Sequence, residues 1–164
     1  MPENALLIPS PVQNQPVQKN RFQLDFPSEL GIESWLVEST DRPKISINPV
    51  DVHTINSKKH VAGKVTYDTI NIKFKEHVGI STSQKLMEWV RLHYEAFSGR
   101  MGYAFGYKKD LTLKALDPTG VATSQWIMYG CLITSATFDN NDLSDDGLLM
   151  PEITVQPDYV ELLF

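Results

Sequence analysis

The segment Val121 to Ile133 restricts the fold of this chain more than any other stretch. Read as a strand with alternating faces, it puts Ile127 and Tyr129 on one side and Trp126, Met128 and Leu132 on the other. A strand that is apolar on both faces must be covered on both. One helix and a small sheet cannot supply all of that cover, so part of it is expected from another copy of the chain. Trp126, Met128, Tyr129 and Leu132 are therefore the candidate inter-subunit strand. Long strands with open edges pair with neighbours unless something blocks them, and closure into a ring-shaped barrel removes the edges altogether.

The remaining text supports a mainly extended chain. Phe22, Leu24 and Phe26 alternate with Gln23 and Asp25, and a turn follows at Pro27–Gly31. Trp35–Val37 reads as a second strand. Ile45 and Ile47 begin a third, with Pro49 marking an edge or a bulge and Val52–Ile55 resuming it. Asn56–His60 reads as a polar turn. Lys64 to Lys75 is the clearest strand, with Ile70, Ile72 and Phe74 on a buried face and Lys73 and Lys75 on a wet one. At Ser81 the period changes. Leu86, Trp89, Val90, His93, Tyr94 and Phe97 share one face at helical spacing, Ser81 and Gln84 form a possible capping box, and Gly99 offers a stop. A Gly/Tyr-rich linker leads to a hairpin whose strands carry Leu111–Ala115 and Val121–Ile133, joined by the turn Asp117–Gly120. An acidic loop, Asp139–Gly147, precedes a last strand at Ile153 and Val155.

Composition narrows the function classes. The chain has 164 residues, with 15 Lys+Arg against 20 Asp+Glu and a formal charge of −5. This mild acidity argues against a dedicated nucleic-acid binder, which needs clustered basic residues to neutralise phosphates. A single cysteine excludes an intrachain disulfide framework. There is no apolar run of about 18 residues to cross a membrane, and no stable membrane binding is expected. A catalytic constellation is equally hard to assemble. His53, His60, His77 and His93 show no metal-ligand spacing, and His93 reads as a hydrogen-bonded core or interface residue. Counted from Asp139, the positions where a calcium loop needs Gly and Glu hold Ser144 and Met150. Cys131 has no neighbouring base, and Tyr103, Phe105 and Tyr107 lack the flanking basic density of a base-stacking platform. No enzyme activity, metal or cofactor is expected.

Four of the ten prolines fall in the first 16 residues, around the apolar cluster Ala5-Leu6-Leu7-Ile8. Residues 1–20 read as an extended arm that docks somewhere, or else as a frayed terminus, and 21–164 as the β domain. Leu6, Leu7 and Ile8 are the candidate docking contacts of that arm. The polar turn supplies Lys58 and Lys59, and the acidic loop supplies Asp142, Asp145 and Asp146, as further candidates.

Taken in order, Asn20–Phe26, Val61–Asp68 with Thr69–Lys75, Leu86–Trp89, Lys108–Leu111, Trp126-x-x-Tyr129-Gly130-Cys131, and Ile153-Thr154-Val155-x-x-Asp158-Tyr159 resemble the tail tube proteins of contractile-tailed bacteriophages, the T-even-like tube family. The resemblance spans roughly residues 20–160 but does not extend to the Pro/Gln-rich arm. It implies a mainly antiparallel β-sandwich or barrel with one flanking helix. It also implies hexameric rings, stacked in a helical tube, whose inner strands join into one barrel around a channel. DNA and the tape-measure protein would pass through that channel without sequence-specific binding. The partners would be a tail sheath protein and a baseplate, and the location the virion tail, after assembly in the host cytoplasm. An acidic lumen would let DNA slide rather than stick. A baseplate or tube-initiator ring, or the tube of another contractile injection system, shares this physics. A monomeric ligand-binding β-barrel is the alternative of another class. If the arm bridges rings, deleting residues 2–18 should weaken stacking and leave the subunit folded. Electron microscopy of the truncated protein checks this, and normal tube growth would contradict it.

Overall fold

The computed structural model of the chain describes residues 15–164; the arm residues Leu6, Leu7 and Ile8 lie outside them. Eleven strands and two helices follow in the order β1 (Phe22–Asp25), β2 (Val37–Thr40), β3 (Ile45–His53), β4 (Lys58–Tyr67), β5 (Ile70–Phe74), α1 (Thr82–His93), β6 (Tyr94–Glu95), β7 (Arg100–Met101), α2 (Ala104–Tyr107), β8 (Lys109–Leu116), β9 (Ala122–Thr137), β10 (Glu152–Gln156) and β11 (Tyr159–Leu162). Seven strands form one antiparallel sheet in the order β1-β8-β9-β10-β5-β2, with β11 also on β9. The expected mainly β, antiparallel architecture with a flanking helix is what the chain adopts, but among the described residues the sheet does not close.

The long strand β9 organises everything else. Its first half pairs with β8 on one edge and β11 on the other; its second half pairs with β10. Between the halves Gly130 sits at φ 61°, where an L side chain is strained, and a β-carbon there would lie 2.3 Å from an Asp158 carboxylate oxygen. The Gly130 N–H donates to Asp110 Oδ1 at 2.8 Å, and the register against β8 shifts by one residue. This bulge changes which side chains point inward. Met128 and then Cys131 are fully buried, while Leu132 turns to the opposite side. The expectation that Leu132 shares a face with Trp126 and Met128 is thereby corrected.

The core draws on both halves of the folded sheet. Leu24, Leu111, Leu113 and Met128 face Ile70, Ile72, Phe74, Ile153 and Val155, and α1 adds Leu86 and Trp89. The Phe26 and Phe74 rings meet at 5.8 Å. The alternation in β5 is clean, with Ile70, Ile72 and Phe74 buried and Asn71 and Lys73 exposed.

Three other sequence expectations are corrected. Ser34–Leu36 forms a 3-10 turn that tucks Leu36 inside, and the strand begins only at Val37. The run Lys64–Lys75 breaks at Asp68 and Thr69, where the Asp68 N–H donates to the Lys44 carbonyl and its carboxylate pairs with Lys44 at 2.9 Å. Asn56–His60 is a turn only in its first half, since Lys58, Lys59 and His60 belong to β4.

The helix starts as expected and stops early. Ser81 Oγ accepts from the Gln84 N–H at 3.2 Å. The Glu76 carboxylate accepts from the Thr82 and Ser83 N–H groups at 2.9 and 3.0 Å, filling a role the sequence did not reveal. At the other end Tyr94 is extended, so Tyr94 and Phe97 leave the apolar face and Phe97 projects fully into solvent. Gly99 makes the turn of the small β6–β7 hairpin instead of ending the helix. The strand returning from that hairpin passes so close that a β-carbon on Gly102 would lie 2.0 Å from the Leu92 carbonyl oxygen.

His93 ties the helix end to the sheet. Its Nδ1 donates to the Trp89 carbonyl at 3.0 Å, and its Nε2 accepts from the Ile133 N–H at 3.1 Å, which fixes a neutral ring. The ring stacks on Tyr107 at 4.4 Å, while Trp89 Nε1 donates to the Tyr107 carbonyl at 2.9 Å. Burial depresses the His93 pKa against the opposing effect of the Trp89 carbonyl. The unfolded chain therefore takes up more protons at this site as pH falls, so the His93 contribution to stability is present above about pH 6.5 and is lost on acidification. Urea denaturation midpoints are expected to fall between pH 7.5 and 5.5, and less steeply in His93→Gln; equal slopes in the two proteins would contradict the assignment.

Candidate assembly surface

β3 and β4 form a two-stranded sheet of their own, 9 residues against 10, with no third strand among the described residues. A hairpin without a hydrophobic face to lie on is marginal in water. This one also carries Ile45, Ile47, Val50, Val52, Val61 and Val65 at 44–56% exposure. Its apolar residues do not all lie on one side. Ile45 pairs with Tyr67 and Ile47 with Val65, placing four apolar side chains on one face of the base. The register then slips between Ile47 and Pro49, opposite Gly63. Beyond this bulge the faces exchange, and Val50, Val52 and Val61 occupy the other side, where a β-carbon on Gly63 would meet the Val50 side chain at 2.8 Å. On the remaining tip face Asp51 accepts from His60 at 2.8 Å and pairs with Lys58. The hairpin therefore presents one apolar surface near the body and a second, oppositely facing one near its tip. Sequence reading missed this because the bulge interrupts the alternation; Gly63 amid valines was the available signal.

The candidate residues fall on different elements. Lys58 and Lys59 lie at the hairpin tip, Lys58 held by Asp51. Asp142, Asp145 and Asp146 lie on the exposed loop between β9 and β10. There Asp142 accepts from the Ser144 N–H and Asp145 from the Gly147 N–H, each at 2.9 Å, and Asp139 from the Met150 N–H at 2.9 Å. These backbone donors hold the Asp139 and Asp142 pKa values below the usual carboxylate range. The Asp139, Asp142 and Asp145 carboxylates are occupied in shaping the loop. Among the described residues no three His, Cys, Asp or Glu side chains converge to hold a metal ion.

On β9 the four candidate strand residues divide. Met128 is completely buried and Trp126 packs against the same core, so within the subunit both serve its own interior. Tyr129 and Leu132 lie on the outer side, where Tyr129 stacks on Tyr159 at 4.5 Å. Burial pushes the Tyr129 hydroxyl pKa up, with help from the nearby Glu161 carboxylate. On β1 the Asp25 carboxyl is raised by burial but lowered more by hydrogen bonds from Lys114, Gln23 and Ser34. The Cys131 thiol, desolvated in the core, is pushed up to about 12 and is inert as a nucleophile at neutral pH. A further exposed apolar group, Phe97, Met101, Tyr103 and Phe105, occupies the segment after α1.

No protein-family model and no curated protein matches the chain. Solved structures do. The chain is similar to one in the anti-feeding prophage cap, the tube-terminating cap, at 18% identity and TM-score 0.75 over 99% of this chain and 98% of that one. It is similar to a chain of the sheath–tube complex of the extracellular contractile injection system PVC in its extended state, at 18% identity and TM-score 0.74 over 93% and 97%. It also resembles Hcp1 from Flavobacterium johnsoniae, at 13% identity and TM-score 0.51 over 87% and 94%. The chain therefore has the fold of these three proteins.

Proposed function

We propose that this protein is a structural subunit of the tube of a contractile tail or contractile injection apparatus, assembling as hexameric rings stacked around a channel and surrounded by a sheath. The observation that carries the reading is the β3–β4 hairpin: two strands with half-exposed apolar residues on opposite faces and no third strand beside them among the described residues. Burying a valine or isoleucine fully is worth about 1.5–3 kcal/mol, so covering six half-exposed ones yields several kcal/mol per contact. Two opposed apolar surfaces suit a subunit with neighbours on two sides. The fold shared with chains of a sheath–tube complex and a tube-terminating cap supports the same reading. In it the tube conducts cargo: DNA and a tape-measure protein in a virion tail, other cargo in an injection system. Nothing in it requires catalysis.

A single ring at the end of a tube is the second reading, favoured by the match to the cap structure over 99% of this chain. Negative-stain electron microscopy over a concentration series separates the two, with stacked tubes on the first reading and isolated rings on the second. On either reading, Val50→Lys/Val61→Lys should abolish hollow particles and leave the urea midpoint of the subunit nearly unchanged. Particles that persist in that variant would remove the hairpin from the assembly.

A further inference from the structure

The two end strands of the open sheet, β1 and β2, border one cleft of about 740 Å³. Phe22, Leu113, Ala115 and Trp126 line it, so the gap between the sheet ends reaches the edge of the core. Each bordering strand has one edge that pairs with no other strand among the described residues, leaving backbone donors and acceptors for an extended segment. The lining is also electropositive. Lys19, Arg21 and Arg42 are in no ion pair among the described residues; Glu38 and Lys114 are paired with Lys75 and Asp25, and the other lining carboxylate, Asp41, accepts from the Asn71 side-chain amide at 3.1 Å.

We propose that this cleft receives the apolar segment Ala5–Ile8 from the N-terminal arm of a neighbouring copy. The segment fits the site in three respects. Its four residues contain no proline, so each keeps a backbone donor. Leu6, Leu7 and Ile8 supply apolar side chains for the cleft floor. Glu3, two positions upstream, supplies a further carboxylate to a rim where Lys19, Arg21, Arg42 and Lys114 outnumber Glu38 and Asp41. The length and stiffness of the connection favour a neighbour over the arm's own subunit. Pro9–Pro16 is an eight-residue spacer with three prolines, and a polyproline-type chain of eight residues would reach roughly 25 Å at about 3.1 Å per residue. Val17, which itself lines the cleft, follows immediately. A spacer of that reach would carry the cluster away from its own cleft. The docked arm would seal the sheet opening and link successive subunits, which deepens the tube reading by naming the contact that ties copies together.

The test is disulfide trapping with copper oxidation in the full-length protein, where buried Cys131 does not compete. A mixture of Leu7→Cys and Ser39→Cys proteins can form a Leu7–Ser39 disulfide only between copies. It should do so at least roughly tenfold faster than a mixture of Leu7→Cys with Val78→Cys, an exposed position outside the cleft. The double variant Leu7→Cys/Ser39→Cys should run as a ladder of linked copies. A disulfide closed within one chain, equal rates at Ser39 and Val78, or no linkage would each overturn the proposal. Microscopy of the same samples judges the tube reading separately. Trapping without hollow particles would refute the tube and keep the cleft contact; hollow particles without trapping would do the reverse.

Discussion

The bend in β9 at Gly130 is the constraint on which the rest of the structure depends. One strand pairs with β8 and β11 through its first half and with β10 through its second, and it can do so only because the bulge turns its direction and its side-chain parity midway. Folding the sheet over in this way brings β1 and β8 to face β5 and β10 across one core. The same bend leaves β1 and β2 as end strands, each with one edge that no other strand among the described residues pairs. The open edges are thus a consequence of how the core is made.

Everything else the subunit leaves unpartnered is consistent with that incompleteness. The β3–β4 hairpin emerges from the corner held by Lys44 and Asp68 and carries apolar surfaces that its own core does not cover. The folded body, by contrast, is well secured. Glu76 caps α1, His93 and Trp89 fasten its end to β9 and α2, and ion pairs such as Lys108–Asp158 at 2.7 Å brace the β9 bulge from outside. A rigid body with unsatisfied projections is a sound design for a building block, because little conformational entropy remains to be lost when copies dock.

Much of the body was legible in the sequence. Strict alternation at Ile70–Phe74 and Leu111–Ala115 reported half-buried strands, and the Ser81 cap with Leu86 and Trp89 reported the helix. What was not legible came from contacts distant in sequence or from interrupted periods. The helix face seemed to continue through Tyr94 and Phe97, but the close return at Gly102 and the hydrogen bond from Ile133 to His93 end it a turn early. The bulge at Gly130 reversed the side of Leu132, and the bulge at Gly63 hid the two faces of the hairpin. At both bulges a glycine inside an apolar strand marked the place, and its consequence depended on a partner strand the local sequence could not identify.

Hydrogen exchange on the hairpin tests the central claim most directly. If β3 and β4 are stabilised by neighbouring copies, their amides should exchange rapidly in the dilute subunit and become strongly protected in assembled particles, while β5, β8 and β9 are protected in both. Strong hairpin protection in the isolated subunit, or none in the assembly, would contradict the account.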